Sequence, residues 1–247
     1  MSETKKMTMY REPLLVAAML LVAAGITLMV RSGFGISVAS SVPYVFSQYF
    51  TQLSFGTWTF ISYTFVILLL IVMIRHFETL YLISFVISFV VGMLNDLFKY
   101  LWSYLPDHTA FLIFYYFLGW LCLSLGIASF VKSELPPAPY DLFVRDVAFY
   151  KKIPIALVKT LFDLGCLTTS LLFLTFVVKR LTGIGIGTIV TGLFNGTLVG
   201  FWLKWMDRHF RMCSLYWPKL ISSSKSDEIE TVVTTTASEK CDNQSEE

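Results

Sequence analysis

Long apolar runs alternate with short, more polar connections along most of the chain. Six runs are about 20 residues long, the length that an α-helix needs to cross a bilayer core of about 30 Å. They cover residues 13–30, 55–74, 80–101, 110–131, 153–178 and 181–205. Uninterrupted apolar segments of this length are typical of membrane spans rather than of core helices in soluble proteins. The pattern predicts an all-α, polytopic transmembrane helix bundle with about six spans.

Composition points to the same class of protein. Of the 247 residues, 55% are hydrophobic and 15% are charged, which leaves too little polar surface for a soluble domain of this size. A net charge of +2 gives no electrostatic reason to expect nucleic acid as a partner. The four cysteines form no CxxC pair, so we predict no metal site, no disulfide framework and no cofactor.

The distribution of Lys and Arg predicts the orientation in the membrane. Most of these residues fall before the first span, after the last span, or in the connections that share their side. The exceptions on the opposite side are Arg31, Lys99 and residues 179–180. Because basic residues concentrate on the cytoplasmic side of a membrane, we expect both termini in the cytoplasm.

The chain divides into four regions around its apolar part. Residues 1–12 are the cytoplasmic N-terminus, residues 13–205 the membrane domain and residues 206–221 a cytoplasmic juxtamembrane segment. Residues 222–247 are rich in Ser, Thr and acidic residues and lack aromatic residues, so this cytoplasmic tail is predicted to be disordered. It either regulates or docks the protein, or only adds solubility.

Two connections differ from ordinary loops. Residues 32–54 carry no charge and are rich in Gly, Ser and aromatic residues, which predicts a short helix that dips partly into the membrane under the shield of other helices. Residues 133–153 allow two interpretations, an amphipathic helix on the inner membrane surface or a re-entrant segment. The apolar stripe of this second segment comprises Leu142, Phe143, Ala148 and Phe149.

A weak repeat relates the two halves of the membrane domain. VVGMLNDLFKYLW, which begins at Val90, resembles VTGLFNGTLVGFW, which begins at Val190. Upstream, Pro43 and Tyr44 match Pro139 and Tyr140. Three spans in each half would place the second repeat upside down relative to the first, as in many transporters. We therefore predict inverted three-helix repeats over residues 13–105 and 110–205. The pairs that lie 100 positions apart are Gly92 and Gly192, Asn95 and Asn195, and Trp102 and Trp202.

Charged groups lie inside the fifth span. Lys159 and Asp163 are one helical turn apart on the same face. If the helix begins near Pro154, Asp163 lies roughly 14 Å along it, near mid-membrane. A charge at that depth costs about 2.5–3.5 kcal/mol on insertion scales, so it marks either a functional site or a structural ion pair.

Further polar residues occur near or within other spans. Asn95 and Asp96 lie near the outer end of the third span, and Asn195 lies inside the sixth. Asp96 also suits the membrane interface, and Asn195 also suits a hydrogen bond between helices. The candidate intramembrane site for a substrate or a coupling ion comprises Asp163, Lys159, Asp96, Asn95 and Asn195, and no residue is predicted to be catalytic or to bind a metal.

Several motifs together resemble a known family. They are SSVPYVFS from Ser40, LSFGTWTF from Leu53, VVGMLND ending at Asp96, VKTLFD ending at Asp163 and GIGIGT ending at Thr188. In this order they resemble the YczE/YyaS/YitT group of bacterial membrane proteins, especially its YczE-like branch. The resemblance implies a location in the bacterial cytoplasmic membrane and places Asp96, Lys159 and Asp163 at the family's usual intramembrane polar positions. The segment DLFVRDVAFYKK departs from the family pattern, and the tail has no counterpart in it.

Two functions fit these features. In a transporter-like or solute-binding protein for an unknown small substrate, Asp163 would carry a proton or contact a cation, and Lys159 would modulate it. In a non-transporting accessory or assembly protein, that pair would be structural. No nucleophile and base can be matched, so an enzyme is not expected. The expected partners are the lipid bilayer, a small solute or proton, and a membrane protein or a second copy of the chain.

Overall fold

Eight α-helices make up most of the part of the chain that the structure describes. The computed structural model describes residues 7–75, 77–133, 138–178 and 185–213. Two helices are short, α2 (Val38–Tyr49) and α6 (Pro139–Lys151), and α7 continues into a π-helical turn at Leu174–Val178. The long helices are α1 (Arg11–Ser32), α3 (Phe55–Ile74), α4 (Thr79–Trp102), α5 (Thr109–Ser133), α7 (Ile155–Phe173) and α8 (Ile186–His209).

The six long helices confirm the predicted all-α bundle. Each is long and apolar enough to cross a membrane. Their bounds lie within a few residues of the predicted ones, except at α8, which begins at Ile186 rather than at 181. The preceding Gly185 is extended, and the N–H of Gly187 donates to the carbonyl of Phe34 at 3.1 Å. The predicted tail, residues 222–247, lies outside the described residues.

Two short strands join the ends of the bundle. β1 (Met7–Tyr10) and β2 (Phe210–Cys213) pair in parallel, with Met7 opposite Phe210. The start of α1 and the end of α8 therefore lie on the same side of the bundle, as an even number of spans requires. That this side faces the cytoplasm stays a prediction.

Both halves of the chain follow the order long helix, short helix, long helix, long helix. α1 and α5 cross antiparallel, because Val22 contacts Gly126 while Met29 contacts Gly119. A shift of 97 positions relates Val22 to Gly119 and Met29 to Gly126. The contact between Val22 and Gly126 therefore corresponds to the contact between Gly119 and Met29. This reciprocity agrees with the predicted inverted repeat.

The repeated tryptophans make equivalent hydrogen bonds. The indole of Trp102 donates to the hydroxyl of Thr27 on α1, and the indole of Trp202 donates to the hydroxyl of Ser124 on α5, both at 3.0 Å. The short helices also pack across the halves, since α2 contacts α7 as well as α3, and α6 contacts α3 as well as α7. Each short helix thus lies against a long helix of the other half.

The stripe of α6 faces protein. Leu142, Phe143 and Ala148 are buried in a cluster with residues of α3 and α7, whereas Phe149 is exposed. At the start of α6, the ring of Tyr140 lies 4.8 Å from that of Tyr63, centroid to centroid. Tyr63 is about 16 Å from the end of α3 at about 1.5 Å per residue. The start of α6 therefore lies near the middle of α3 along its length, as a re-entrant segment would.

The segment before α2 is tied to the start of α8. Ile36 donates its N–H to the hydroxyl of Thr188 at 3.1 Å, and Gly187 bonds to Phe34 as described above. The hydroxyl of Ser41 on α2 lies 2.8 Å from the hydroxyl of Ser170 on α7. Protein groups thus satisfy the backbone of this segment, which is the condition for non-helical chain at membrane depth.

Candidate functional site

A cavity of about 90 Å³ lies where both short helices begin. The first turn of α2, residues 37–40, lines one part of it, and Ala138, Tyr140 and Asp141 at the start of α6 line another. α7 and α8 supply much of the remaining polar lining. At about 15 Å³ for each water, the volume has room for roughly six water molecules. It suits a ligand of similarly few non-hydrogen atoms.

α7 contributes the ion pair that the sequence predicted. The ammonium nitrogen of Lys159 lies 3.9 Å from a carboxylate oxygen of Asp163, and the two side chains are 49% and 28% exposed. Both residues line the cavity. The separation exceeds a hydrogen bond, so the pair is loose. Its members can therefore contact a third group without the loss of a strong bond.

α8 contributes an amide and two glycines. Asn195 lines the cavity between Gly192 and Gly196. The side-chain oxygen of Asn195 is buried and has no hydrogen-bond partner among the described residues. A buried acceptor without a donor is costly. The side-chain oxygen of Asn95, which lies outside the cavity, is buried in the same way.

Asp141 places a second carboxylate at the cavity. It belongs to the first turn of α6, where the helix dipole favours negative charge. No described residue forms a hydrogen bond or ion pair with its carboxylate. The lining therefore carries two carboxylates and one ammonium group.

Several hydroxyl groups add to the polar lining, among them those of Ser40 and Tyr63. Ser40 is 5% exposed and Tyr63 is 3% exposed, and both line the cavity. In the described part of the chain, neither side chain has a hydrogen-bond partner. Most buried polar groups in proteins are bonded, so these hydroxyls point to a missing ligand or water.

The two halves differ at equivalent positions. In the first half, the amide of Asn95 donates to Thr59 at 3.4 Å, which joins α4 to α3. The residues 100 positions later are Asn195 and Lys159, which line the cavity instead. α3 and α4 are also in close contact at Gly56, where an added Cβ would lie 2.0 Å from the carbonyl oxygen of Gly92. The cavity thus lies where the second half lacks the close packing of the first.

Two of the five predicted site residues lie outside the cavity. Asn95 is fully buried between α3 and α4. The carboxylate of Asp96 accepts hydrogen bonds from the hydroxyl of Ser54 at 2.5 Å and from the N–H of Gly56 at 2.7 Å. It therefore caps the start of α3, a structural role close to the interfacial interpretation. Lys159, Asp163 and Asn195 are the predicted residues that the structure brings together.

Loss of the Asp96 carboxylate should affect stability rather than solute binding. Asp96→Ala removes two acceptors at the start of α3 and should cost about 1.5–3 kcal/mol, the usual contribution of hydrogen bonds to a charged group. Asp96→Asn keeps one acceptor and should cost less. Thermal unfolding of the purified variants in detergent measures both. Equal melting temperatures for Asp96→Ala and the unmodified protein would contradict this role.

Sequence reasoning missed Asp141, Tyr63 and Ser40. Asp141 lies outside the apolar stripe of residues 133–153, and Tyr63 and Ser40 carry no charge that would mark them. One signal did point to Asp141: it follows the repeated pair Pro139 and Tyr140 at the start of an unusual connection. A second signal pointed to Tyr63, which lies 100 positions before Asp163 and is therefore its equivalent in the first half.

Comparison with protein-family models matches residues 9–204 to DUF6198, which is described as a family of unknown function. This match covers nearly all of the membrane domain. No curated protein and no solved structure matches the chain. No named relative connects it with the YczE/YyaS/YitT group, so that resemblance stays a prediction.

Proposed function

We propose that this protein, which belongs to the DUF6198 family of unknown function, is a solute-binding membrane protein of the secondary-transporter type. The observation that carries the proposal is the cavity, in which charged and polar groups from both halves of a six-span bundle meet. Intramembrane ionisable groups are expensive to bury, so their convergence on one cavity favours function over packing.

The reciprocal contacts of the two halves support the same proposal. Inverted repeats often place a substrate site near the membrane midplane, where discontinuous helices begin. Here α2 and α6 both begin at the cavity, each packed against a long helix of the other half. Movement of one half against the other would change which side of the membrane reaches the cavity.

Specific side chains have distinct roles in this proposal. The Lys159 and Asp163 pair opens when a solute replaces one of its partners, and the side-chain oxygen of Asn195 accepts a hydrogen bond from the solute. Asp141 contributes a carboxylate from the other wall. When the solute replaces one partner of the ion pair, each charged group keeps an oppositely charged neighbour. The free-energy cost stays low because no unpaired charge forms at membrane depth.

A second candidate is an accessory protein that binds another membrane protein. The observation that favours it is the low burial of α7 and α8, whose spans are 11% and 17% buried, compared with 28–50% for the other four. Lipid covers such faces equally well. We keep this role as the alternative that the following experiment separates from transport.

Cysteine accessibility tests the proposal directly. In a background without the four native cysteines, Ala39→Cys and Ala138→Cys place thiols on the two short-helix walls of the cavity. Ser103→Cys, exposed beyond the end of α4, is the matched control. Each variant is labelled with a membrane-impermeant thiol reagent in intact cells and in inside-out vesicles.

A transporter predicts slow labelling at both cavity positions, with rates that change on energisation of the membrane, while Ser103→Cys reacts at a constant rate. Uptake by proteoliposomes is then measured with a broad panel of labelled amines, amino acids, carboxylates and sugars. Constant labelling rates at positions 39 and 138, together with no uptake of any solute, would refute transport and favour the accessory role. The side from which position 103 reacts also tests the predicted orientation.

A further inference from the structure

One end of the cavity is suited to an anion. The first N–H groups of any helix lack an intrahelical acceptor, and the helix dipole places partial positive charge there. In α2 this turn, residues 37–40, lines the cavity, contains no acidic residue and has no side-chain cap at Ser37. α6 differs, because its own first turn contains Asp141. The positive end of α2 therefore has no counter-charge of its own.

Ser40 is an independent sign of a ligand at the same place. It is 5% exposed, lines the cavity and has no hydrogen-bond partner within the described ranges. Its neighbour Ser41 is fully buried and donates to the carbonyl of Val38 at 2.6 Å, and its oxygen lies 2.8 Å from the hydroxyl of Ser170. Ser41 is satisfied by protein, whereas Ser40 has a donor available for a ligand.

Negative charge is in excess in the rest of the cavity lining. Asp141 and Asp163 face the cavity with a single ammonium group, that of Lys159. Lys159 lies within 4.0 Å of Asp163, and Asp141 has no such ion pair in the part of the chain described here. A buried carboxylate without a partner is costly, and an ammonium group on a ligand would neutralise it. The unbonded hydroxyl of Tyr63 supplies a further oxygen for that group.

We infer that the solute is a small zwitterion of the amino acid type, whose carboxylate lies at the start of α2 beside Ser40 and whose ammonium group lies at Asp141. This inference rests on the proposed function and names its substrate class. The cavity volume of about 90 Å³ limits the solute to the size of glycine or alanine. The Lys159 and Asp163 pair lines the same cavity.

Ligands that carry only one charged group fit the cavity less well. A simple anion would meet two carboxylates without a compensating ammonium group of its own. The N–H of Ser40 donates to the carbonyl of Ser37 at 3.0 Å, but a simple cation would leave the N–H groups that precede it in α2 and the hydroxyl of Ser40 without an acceptor. A zwitterion satisfies both ends and adds no net charge to the membrane interior, where each net charge is expensive.

Three small probes that differ in their charged groups test the inference on the unmodified full chain in lipid nanodiscs. Glycine carries both groups, methylammonium lacks the carboxylate and acetate lacks the ammonium group. Equilibrium binding of each labelled probe should show glycine at least 10-fold tighter than either analogue, because each analogue leaves polar groups of the site unpaired. Methylammonium or acetate bound as tightly as glycine would overturn the zwitterion inference and leave solute binding intact.

No binding of any of the three probes would also overturn the inference. The broad uptake panel then decides the proposed function by itself, because uptake of a sugar or a larger solute would keep transport and reject the zwitterion. Since this comparison uses the unmodified protein, it does not depend on whether a variant folds.

Variants assign the two ends. Ser40→Ala should weaken glycine binding about 10-fold or more and leave methylammonium binding unchanged, the loss expected for a hydrogen bond to a charged group. Asp141→Asn should weaken glycine binding and should not weaken acetate binding, because it removes one of the two carboxylates that a simple anion meets. Ser41→Ala is the matched control and should bind glycine normally. Unchanged glycine affinity in a well-folded Ser40→Ala protein would overturn the assignment of the carboxylate end.

Discussion

Gly25→Ala should strongly destabilise the helix bundle. An added Cβ at this position would lie 2.6 Å from the backbone nitrogen of Leu123 and 2.7 Å from the carbonyl oxygen of Gly119. Both are backbone atoms of α5, so no side chain can rotate away. α1 and α5 would have to separate along the contact that joins the two halves. We expect a cost of about 3 kcal/mol or more, at the upper end for overpacked cores.

Gly200→Ala is the matched control on α8. Nothing lies within 4 Å of a Cβ added there. Alanine also favours a helix over glycine by about 1 kcal/mol, so this change should be neutral or stabilising. Both variants are compared by membrane abundance, by monodispersity after detergent extraction and by melting temperature. A Gly25→Ala protein as abundant and as stable as Gly200→Ala would mean that α1 and α5 do not approach this closely.

The architecture could be predicted because it depends on local properties of the chain. Hydropathy over about 20 residues identifies a span wherever its neighbours lie, so all six long helices were found. The uncharged connection 32–54 likewise indicated the short helix α2. The spacing of Trp102 and Trp202 indicated that the halves are related, and the bonds to Thr27 and Ser124 agree with that relation.

The site was only partly predictable because a motif does not determine its surroundings. Asn95 and Asn195 belong to the same repeated pattern, yet Asn95 bonds to Thr59 and Asn195 faces the cavity. The difference comes from what stands on the neighbouring helix, Thr59 in one half and Lys159 in the other. Asp141 was missed for a related reason: only the packing of α6 decides whether its polar side meets solvent or the cavity.

Neutralisation of the charged pair on α7 should abolish function and preserve the fold. In the double variant Lys159→Met and Asp163→Asn, both side chains keep nearly their original size and neither leaves an unpaired partner. The original pair is loose at 3.9 Å and partly exposed, so its removal should cost little stability. Each single variant is less informative, because it also leaves one charge without its partner.

We expect the double variant to accumulate at the level of the unmodified protein. Its uptake of any solute identified by the proteoliposome panel should fall about 100-fold or more, which corresponds to about 2.7 kcal/mol. The physical reason is that the variant removes the charges that exchange partners with the solute, not a contact between helices. Initial uptake rates divided by the amount of reconstituted protein measure the effect.

The matched control neutralises an ion pair far from the cavity. Arg31 lies 2.5 Å from Asp107 and also donates to the carbonyl of Leu105, at the end of the bundle opposite the strands. Arg31→Met with Asp107→Asn should lower the melting temperature slightly and leave uptake per molecule unchanged. If the pair on α7 were structural, its double variant would behave like this control. Normal uptake per molecule after loss of Lys159 and Asp163 would therefore show that the pair is structural and that its charges do not exchange partners with the solute.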